Sequence, residues 1–312
     1  MSWNGGIVQW QDGDTTYISV AFTYKLDQAY SMAQFSKACG QRVIAGGPAF
    51  ALLKSRHELE DVAEIPTKTV ERRGKLITLP ADYSGPGEAI TRHNPLATFA
   101  SRGCSEECSF CIVPYLEGKF TLFPDFPVRP ILCDNNLSAL DPKYQDYIIE
   151  RYTATGVKLK DANSGFEPHT FTEEIYRRWR PLINAGGGPW RFALDETREW
   201  DEAITVMRIL KDEPQKRKRV YTMIGNEPFA ECMARIQAVI DNGCEPHVQP
   251  YMKLGTLVQE PHVGYDWTLQ KLKDVARWAN VWLWKKLQFA EYDRYAKTSQ
   301  EPAYDAEQGL FV

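Results

Sequence analysis

Three cysteines lie close together in the stretch from Ser101 to Cys111. Cys104, Cys108 and Cys111 follow the spacing C-x3-C-x2-C, and a short apolar run precedes them. Three thiolates so near in the chain can bind three corners of an iron–sulfur cluster without help from distant residues. Because the count is three rather than four, one iron is left open to a ligand that is not protein. The spacing therefore predicts a [4Fe-4S] cluster with an open coordination site.

Two other interpretations of these thiols are a zinc site and a set of separate buried cysteines. Structural zinc sites usually have four ligands, and their cysteine pairs come with a second pair or with histidines downstream. The nearest histidine here is His93, and the chain has no second C-x-x-C. The pattern favours a cluster over zinc, and zinc or a plain electron-transfer cluster remains the alternative.

An aromatic residue, Phe110, stands directly before the last cysteine. With it, the stretch closely resembles the cysteine motif of the radical S-adenosylmethionine (radical SAM) enzymes. The resemblance implies that Cys104, Cys108 and Cys111 hold the cluster and that the amino and carboxylate groups of SAM chelate the open iron. It also implies that an electron from the cluster splits SAM into methionine and a 5'-deoxyadenosyl radical, and that a flavodoxin- or ferredoxin-type protein supplies the electron.

The resemblance does not name the substrate from which the radical would abstract hydrogen. Modification of a nucleotide, an RNA or a peptide is left open. Two readings without radical catalysis compete with the enzyme: an iron–sulfur electron-transfer protein, and a SAM-binding protein that never cleaves SAM. A six-strand barrel with polar groups at its strand ends favours the enzyme, because an electron carrier needs no such scaffold.

Composition and charge are ordinary for a globular protein. The 312 residues are 43% hydrophobic and 25% charged, and the formal net charge of −4 gives no general attraction for nucleic acid. Seven cysteines, with three of them clustered, indicate a reducing cytoplasm rather than a disulfide framework. The sequence predicts neither a membrane span nor an N-terminal signal peptide.

From about residue 97 the chain alternates candidate strands and helices at intervals near 30 residues, which indicates a parallel sheet with crossover helices. The candidate strands are 97–101, 129–134, 157–162, 190–195, 219–224 and 246–250. Six repeats match the partial (β/α)6 TIM-like barrel of radical SAM enzymes. We expect that barrel to span 97–255, with a C-terminal helix and tail (256–312) packed on it. Thr170-x-x-Glu173 reads as a capping box, and one long helix is expected over 267–292.

Residues 1–96 are predicted to form a small α/β domain with a linker hairpin. A strand at 16–22, a helix ending near Gly40 and a strand at 43–45 make one unit, and 68–79 reads as the hairpin. This region resembles a shortened form of the Rossmann-like domain that precedes the barrel in cobalamin-dependent radical SAM enzymes and in methylthiotransferases. The cobalamin motif D-x-H-x-x-G is missing, and Cys39 stands where methylthiotransferases use three cysteines. We expect neither a histidine-ligated cobalamin nor an auxiliary cluster.

Catalytic groups of parallel barrels lie at the carboxyl ends of the strands, so the polar residues there are candidate ligands of SAM. The resemblance implies that Asp134 and Asn135 hold the methionine ammonium. It also implies that Asp195 or Glu196 holds the ribose hydroxyls or the substrate. Ile224 and Gly225 would flank the adenine, and backbone near Phe110 would help to seat SAM. Further candidates at the mouth are Asn163, Ser164 and Glu167, whereas His247 on the sixth strand is interpreted as a structural histidine.

Two clusters of basic residues are candidates for a nucleic-acid interface. They are Arg177-Arg178-Trp179-Arg180 and Lys216-Arg217-Lys218-Arg219, and both come at helix ends that lead into strands. That position places them on the face opposite the strand ends, where cations complement helix dipoles. We interpret both clusters as solvated surface, so that an RNA substrate is left without support.

Overall fold

The computed structural model describes residues 3–52, 57–72, 75–80, 88–117, 120–163, 165–292, 304–305 and 310–311. The strands are β1 (Ile7–Asp12), β2 (Thr15–Val20), β3 (Arg42–Gly46), β4 (Thr67–Arg72), β5 (Lys75–Pro80), β6 (Ala97–Thr98), β7 (Ser101–Arg102), β8 (Thr121–Leu122), β9 (Ile131–Leu132), β10 (Asp161–Ala162), β11 (Trp190–Ala193), β12 (Lys218–Ile224), β13 (Glu245–Pro250), β14 (Tyr304–Asp305) and β15 (Leu310–Phe311). The α-helices are α1 (Leu26–Ala38), α2 (Pro48–Leu52), α3 (His57–Glu60), α4 (Glu88–His93), α5 (Val113–Leu116), α6 (Pro142–Thr155), α7 (Glu173–Gly186), α8 (Trp200–Ile209), α9 (Phe229–Asp241) and α10 (Leu269–Asn280).

All six candidate strands after residue 97 are present, and they pair in parallel in two three-stranded sheets. One sheet has the order β6-β9-β10 and the other has the order β11-β12-β13. Spatial order therefore follows chain order within each sheet. The sheets meet where the Phe166 amide donates to the Arg191 carbonyl (3.2 Å) and where Asp161 on β10 pairs with Arg191 on β11 (2.6 Å).

The predicted first strand, 97–101, is in fact two elements. β6 pairs with β9, and the chain then leaves that sheet so that β7 pairs antiparallel with β8. The carbonyl of Ala100 accepts from the Phe123 amide and from the Tyr144 hydroxyl, both at 2.8 Å. These bonds replace the ladder that a continuous strand would have made.

The helices after β9 bury one apolar stripe each against the sheets. Side chains of α6 and α7 enclose an aromatic core around Phe166, whose ring centroid lies 5.5 Å from that of Trp179 and 5.3 Å from that of Trp190. The predicted capping box at Thr170 is wrong, because the Thr172 hydroxyl caps α7 by accepting from the Ile175 amide at 3.3 Å.

The predicted continuous helix over 267–292 is also wrong. α10 ends at Asn280, whose side chain accepts a hydrogen bond from the backbone amide of Val248 on β13 and donates one to its carbonyl. Two residues later, Trp282 adopts a left-handed conformation with φ 60°. The chain then turns back, and Phe289 packs on Trp278 with ring centroids 5.6 Å apart. The apolar spacing therefore continues across a turn that the periodicity does not reveal.

The N-terminal region contains the predicted strand–helix–strand unit, in which β2 and β3 pair in parallel and α1 connects them. The predicted hairpin is present as the antiparallel pair β4–β5. β1, which pairs antiparallel with β2, was not predicted. Its signal was the two-residue Gly13-Asp14 loop between two β-prone runs, a spacing typical of tight hairpins.

None of the helices in the described part of the chain combines the length and the apolar character that a bilayer-spanning segment needs.

Candidate metal centre

The cysteine loop, residues 103–112, lies between β7 and α5. Its N-terminal end is fixed by the β7–β8 pair, and the Cys111 amide donates to the Cys108 carbonyl at 3.1 Å, which closes a turn between two of the three cysteines. Phe110 is half-buried in this turn. The loop is therefore a short segment that is closed by a turn between Cys108 and Cys111.

Glu117 joins the two ends of the cysteine loop. Its carboxylate accepts from the Gly103 amide (2.6 Å) and from the Asn135 side-chain amide (2.7 Å), and it pairs with Arg102. Gly103 has φ 102°, a left-handed conformation that glycine adopts without strain. The sequence analysis missed Glu117, because a single glutamate after the motif carries no local signal. Asn135, expected to contact SAM, instead braces the loop in this structure.

Asp134 is fully enclosed directly behind the cysteine loop. Its carboxylate accepts from the Ala100 amide (2.9 Å) and from the Ser101 hydroxyl (2.6 Å), and none of its surface is exposed. Burial raises its pKa to about 6, although these hydrogen bonds act in the opposite direction. This geometry gives Asp134 the task of fixing the backbone before the loop, rather than the open position expected of a SAM ligand.

Asn136 was not singled out from the sequence, yet its buried side chain faces a candidate ligand, Cys104. Its Nδ2 lies 3.9 Å from the Cys104 Sγ and 3.4 Å from the Ser105 hydroxyl. Its Oδ1 is held by the Ser138 hydroxyl (2.8 Å) and the Ala139 amide (3.1 Å), so that the side-chain orientation is fixed. Donors aimed at a cluster thiolate tune the cluster electronically.

Backbone amides also point at the cysteine sulfurs. The Glu106 amide lies 3.4 Å from the Cys104 Sγ, and the Val113 amide lies 3.5 Å from the Cys111 Sγ. Burial raises the pKa of Cys104 to about 11 and that of Cys108 to about 12, and it raises the pKa of Cys111 as well. These thiols therefore hold their protons at neutral pH, and metal binding would release them.

Within the described ranges, no three His, Cys, Asp or Glu side chains come close enough together to share a single metal ion. Thiolates around one zinc ion lie about 4 Å apart, since each Zn–S bond is about 2.3 Å. In a four-iron cluster each thiolate binds a different iron, so the thiolates stand farther apart. The finding therefore concerns single-ion sites.

A cavity of about 350 Å³ opens beside Cys108. Acidic side chains dominate its lining, which consists of Glu106, Glu107, Cys108, Glu167, Pro168, His169, Arg198, Glu199 and Glu202. Burial, then repulsion from Glu199 and Glu106, raises the pKa of Glu167 to about 7. Burial likewise raises the pKa of Glu199. Buried carboxylates that repel one another attract a cation. A positive charge would offset the cost of burying their negative charge and would reduce their mutual repulsion.

The turn after β11 places its acidic residues differently from the expectation. Asp195 is half-buried and accepts from the Met223 amide at 2.9 Å, and burial raises its pKa to about 7. Glu196 caps the turn and accepts from Arg198 at 2.6 Å. Glu199, which the sequence analysis did not select, accepts from the amides of both Asp195 (2.8 Å) and Glu196 (3.1 Å) and lines the cavity.

The expected adenine-side residues are not among those that line the cavity. Ile224 is fully buried among residues of α9 and α10, and its carbonyl accepts from the Tyr251 amide at 2.8 Å. A side chain at Gly225 would meet Leu272 at 3.1 Å and the His262 carbonyl at 3.2 Å, so this glycine allows a close approach of chain to chain. Asn163 is half-buried beside Cys133, whereas Ser164 lies outside the described residues.

The two basic clusters are largely neutralised by nearby acids. Arg178 pairs with Asp146 at 2.9 Å and with Glu174 at 3.0 Å. Arg180 and Arg217 both reach Glu213, at 3.1 Å and 3.8 Å. The interpretation as paired surface residues therefore accounts for Arg178, Arg180 and Arg217. Two further members differ from the expectation: Lys218 and Arg219 belong to β12, Lys218 is buried, and Arg219 lies on a sheet face.

Comparisons of the chain with protein-family models, with curated proteins and with solved structures found no match. The residues of the cysteine loop and of the adjoining cavity therefore carry the functional argument.

Proposed function

We propose that the protein is a radical SAM enzyme. The observation that carries the proposal is the juxtaposition of a closed C-x3-C-x2-C loop and a carboxylate-lined cavity at Cys108. SAM brings a sulfonium and an ammonium group, both cationic, and one carboxylate. A cavity with several glutamates and one arginine complements that charge pattern.

The residues present fit a [4Fe-4S] cluster. Cys104, Cys108 and Cys111 would hold it, with Asn136 and the backbone amides of the loop donating to the sulfurs. When bound, the cluster supplies the electron that splits SAM into methionine and a 5'-deoxyadenosyl radical, which then abstracts hydrogen from a substrate. The buried supports Glu117 and Asp134 keep the loop in place.

The acidic residues of the cavity take the role that the sequence had given to Asp134 and Asn135. Glu167 and Glu199 are the proposed partners of the methionine ammonium, and Arg198 is the proposed partner of its carboxylate. Asp195 supports them, because its oxygen holds the Met223 amide while Glu199 holds the Asp195 amide.

The scaffold proposed for this site is a partial (β/α)6 barrel preceded by a small α/β domain. Six parallel strands in chain order support it, as do the contacts of Asp161 and Phe166 with Arg191 across the two sheets. A flavodoxin- or ferredoxin-type protein is the proposed electron donor, and a reducing cytoplasm is the compartment that suits three free thiols.

The test is anaerobic turnover. The protein is reconstituted with iron and sulfide, reduced with dithionite and given SAM, and 5'-deoxyadenosine is followed by chromatography. Cys104→Ala, Cys108→Ala and Cys111→Ala proteins run beside it, with Cys39→Ala as the matched control because Cys39 is exposed and remote in sequence.

Product from the wild-type and Cys39→Ala proteins, and none from the other three, is the expected result. A protein with a complete cluster that yields no 5'-deoxyadenosine would contradict the proposal that it is a radical SAM enzyme. If its spectrum also ignores SAM, the electron-transfer reading takes its place.

A further inference from the structure

The sheet β11-β12-β13 has two very different faces. Val220, Ile224 and Val248 point to the helices and are buried in its apolar clusters. Side chains alternate along a strand, so Arg219 and Tyr221 point to the opposite face. Parallel sheets are normally covered by apolar packing on both faces, whereas Arg219, Tyr221 and His247 on this opposite face are polar and only half-buried. Half-buried polar groups at such a position are accessible to a ligand.

Strand register brings four polar side chains together on that face. Arg191 and Arg219 are direct partners on neighbouring strands, and Tyr221 and His247 are direct partners one step further along. The Tyr221 and His247 rings meet edge to face, with centroids 4.9 Å apart.

Arg191 is fully engaged and serves as the fixed edge of this group. Its Nε and Nη2 each donate to Asp161 at 2.6 Å, and its Nη1 donates to the Tyr221 hydroxyl. The Tyr221 hydroxyl thus receives a hydrogen bond and keeps its own proton available for a ligand.

Arg219 is far less engaged. Its only ion pair with a described residue is to Glu245 at a long 3.7 Å, and Glu245 is shared with Lys285 at 3.3 Å. One carboxylate thus faces two cations, which leaves an excess positive charge. Among the described residues the Arg219 guanidinium makes no hydrogen bond, although it carries five N–H donors and is 29% exposed.

His247 is similarly without a hydrogen-bond partner for its ring nitrogens in the described part of the chain. Burial lowers its pKa, and the positive charges of Arg219 and Arg191 lower it further. The potential around this imidazole is therefore positive. Arg219, Tyr221 and His247 thus lie side by side on one face of the sheet, and each has hydrogen-bonding capacity that the described residues leave unused, an arrangement that suits an anion.

We propose that Arg219, Tyr221 and His247 bind the anionic group, a carboxylate or a phosphate, of a small molecule on the face of the β11-β12-β13 sheet that is turned away from the helices. The proposal rests on the proposed function only in making that molecule the substrate. The site would then select substrates with an anionic group held within the sheet, away from the cysteine loop at the strand ends.

The test is a titration of the full chain with inorganic phosphate and, separately, with acetate, followed by nuclear magnetic resonance of labelled histidine. The five histidines give few signals, and His247→Gln identifies the relevant one. The variants are Arg219→Gln and Arg219→Lys. Arg208→Gln removes the same charge from an exposed position on α8 and is the matched control.

A saturable shift of the His247 signal with either anion is expected, and the anion that binds more tightly identifies the group. Affinity should fall about tenfold in Arg219→Gln, the loss expected for a charge-assisted hydrogen bond, and less in Arg219→Lys. Arg208→Gln should match wild type. Unchanged signals from the other histidines show that each variant is folded.

No saturable shift with either anion, or equal weakening in Arg208→Gln, would overturn the anion site. The titration involves no SAM, so its failure leaves the proposed enzyme standing, and failure of SAM cleavage leaves an observed anion site standing.

Discussion

Two polar turns follow parallel strands in this protein, and they differ in what their side chains face. The turn after β9, residues 133–137, directs Asp134, Asn135 and Asn136 at the cysteine loop and its neighbours. The turn after β11, residues 194–199, places Arg198 and Glu199 at the cavity beside Cys108.

The difference teaches that residue type alone does not assign a task at the end of a strand. An acidic residue that is enclosed and accepts backbone hydrogen bonds becomes a support, as Asp134 does. A half-buried one whose pKa is raised by burial and by other carboxylates, as is Glu167 after β10, is available to a cationic ligand.

The largest loss of stability should come from replacing Glu117, one of the acidic residues that support the cysteine loop. Glu117→Ala breaks the pair with Arg102 and leaves the buried Gly103 amide without its acceptor. We expect a loss of about 3 kcal/mol in the free energy of unfolding, because an unpaired group is left behind. Urea unfolding measures it, and Glu202→Ala in the cavity lining should change stability by less than about 0.5 kcal/mol. Equal losses would erase the distinction between support and cavity.

Asp134→Ala should cost somewhat less, about 2 kcal/mol, because two hydrogen bonds to Ala100 and Ser101 disappear without a broken ion pair. Asp134→Asn keeps an acceptor and should cost less still. Urea unfolding again gives the values. If Asp134→Ala kept its stability and lost only SAM binding, Asp134 would have the ligand role that the sequence suggested.

The third expected effect is a pH dependence of stability that comes from the cavity. The pKa of Glu167 is about 7 in the folded protein, above its ordinary value near 4.5, so the folded state binds more protons in that interval. Stability therefore falls as pH rises from about 4.5 to 7. Glu167→Gln removes this contribution and should stabilise the metal-free protein at pH 8 by up to about 3 kcal/mol, because one pKa unit corresponds to about 1.4 kcal/mol. A steeper decline in the variant would contradict the assignment.

The sequence predicted what depends on local pattern. Apolar and β-branched runs located all six parallel strands, and the cysteine spacing located the loop. The fold departs from expectation where a contact distant in sequence decides the outcome. Asn280 ends α10 by bonding Val248, and Ala100 leaves the first sheet by bonding Phe123. No periodicity within either segment contains that information.

The candidate site shows the same division. The roles of Glu117 and Asn136 depend on contacts with Asn135 and Cys104 that only the folded chain creates. The position of Arg219 on a sheet was not predicted, because it belongs to a run of four basic residues. The first two of these lie in a turn and the last two in β12. Arg219 and Tyr221 alternate with the buried residues Lys218 and Val220 along β12. This period of two was the signal that could have assigned Arg219 to a strand.

The most direct test of the account is a SAM titration of the reduced, reconstituted protein, followed by the spin-resonance signal of its cluster. The account predicts a SAM-dependent change in wild type, an affinity about tenfold weaker in Glu167→Gln, and an affinity close to wild type in Asp134→Asn. Iron content should be equal in all three proteins. A full cluster whose signal ignores SAM, or an affinity lost in Asp134→Asn and kept in Glu167→Gln, would contradict it.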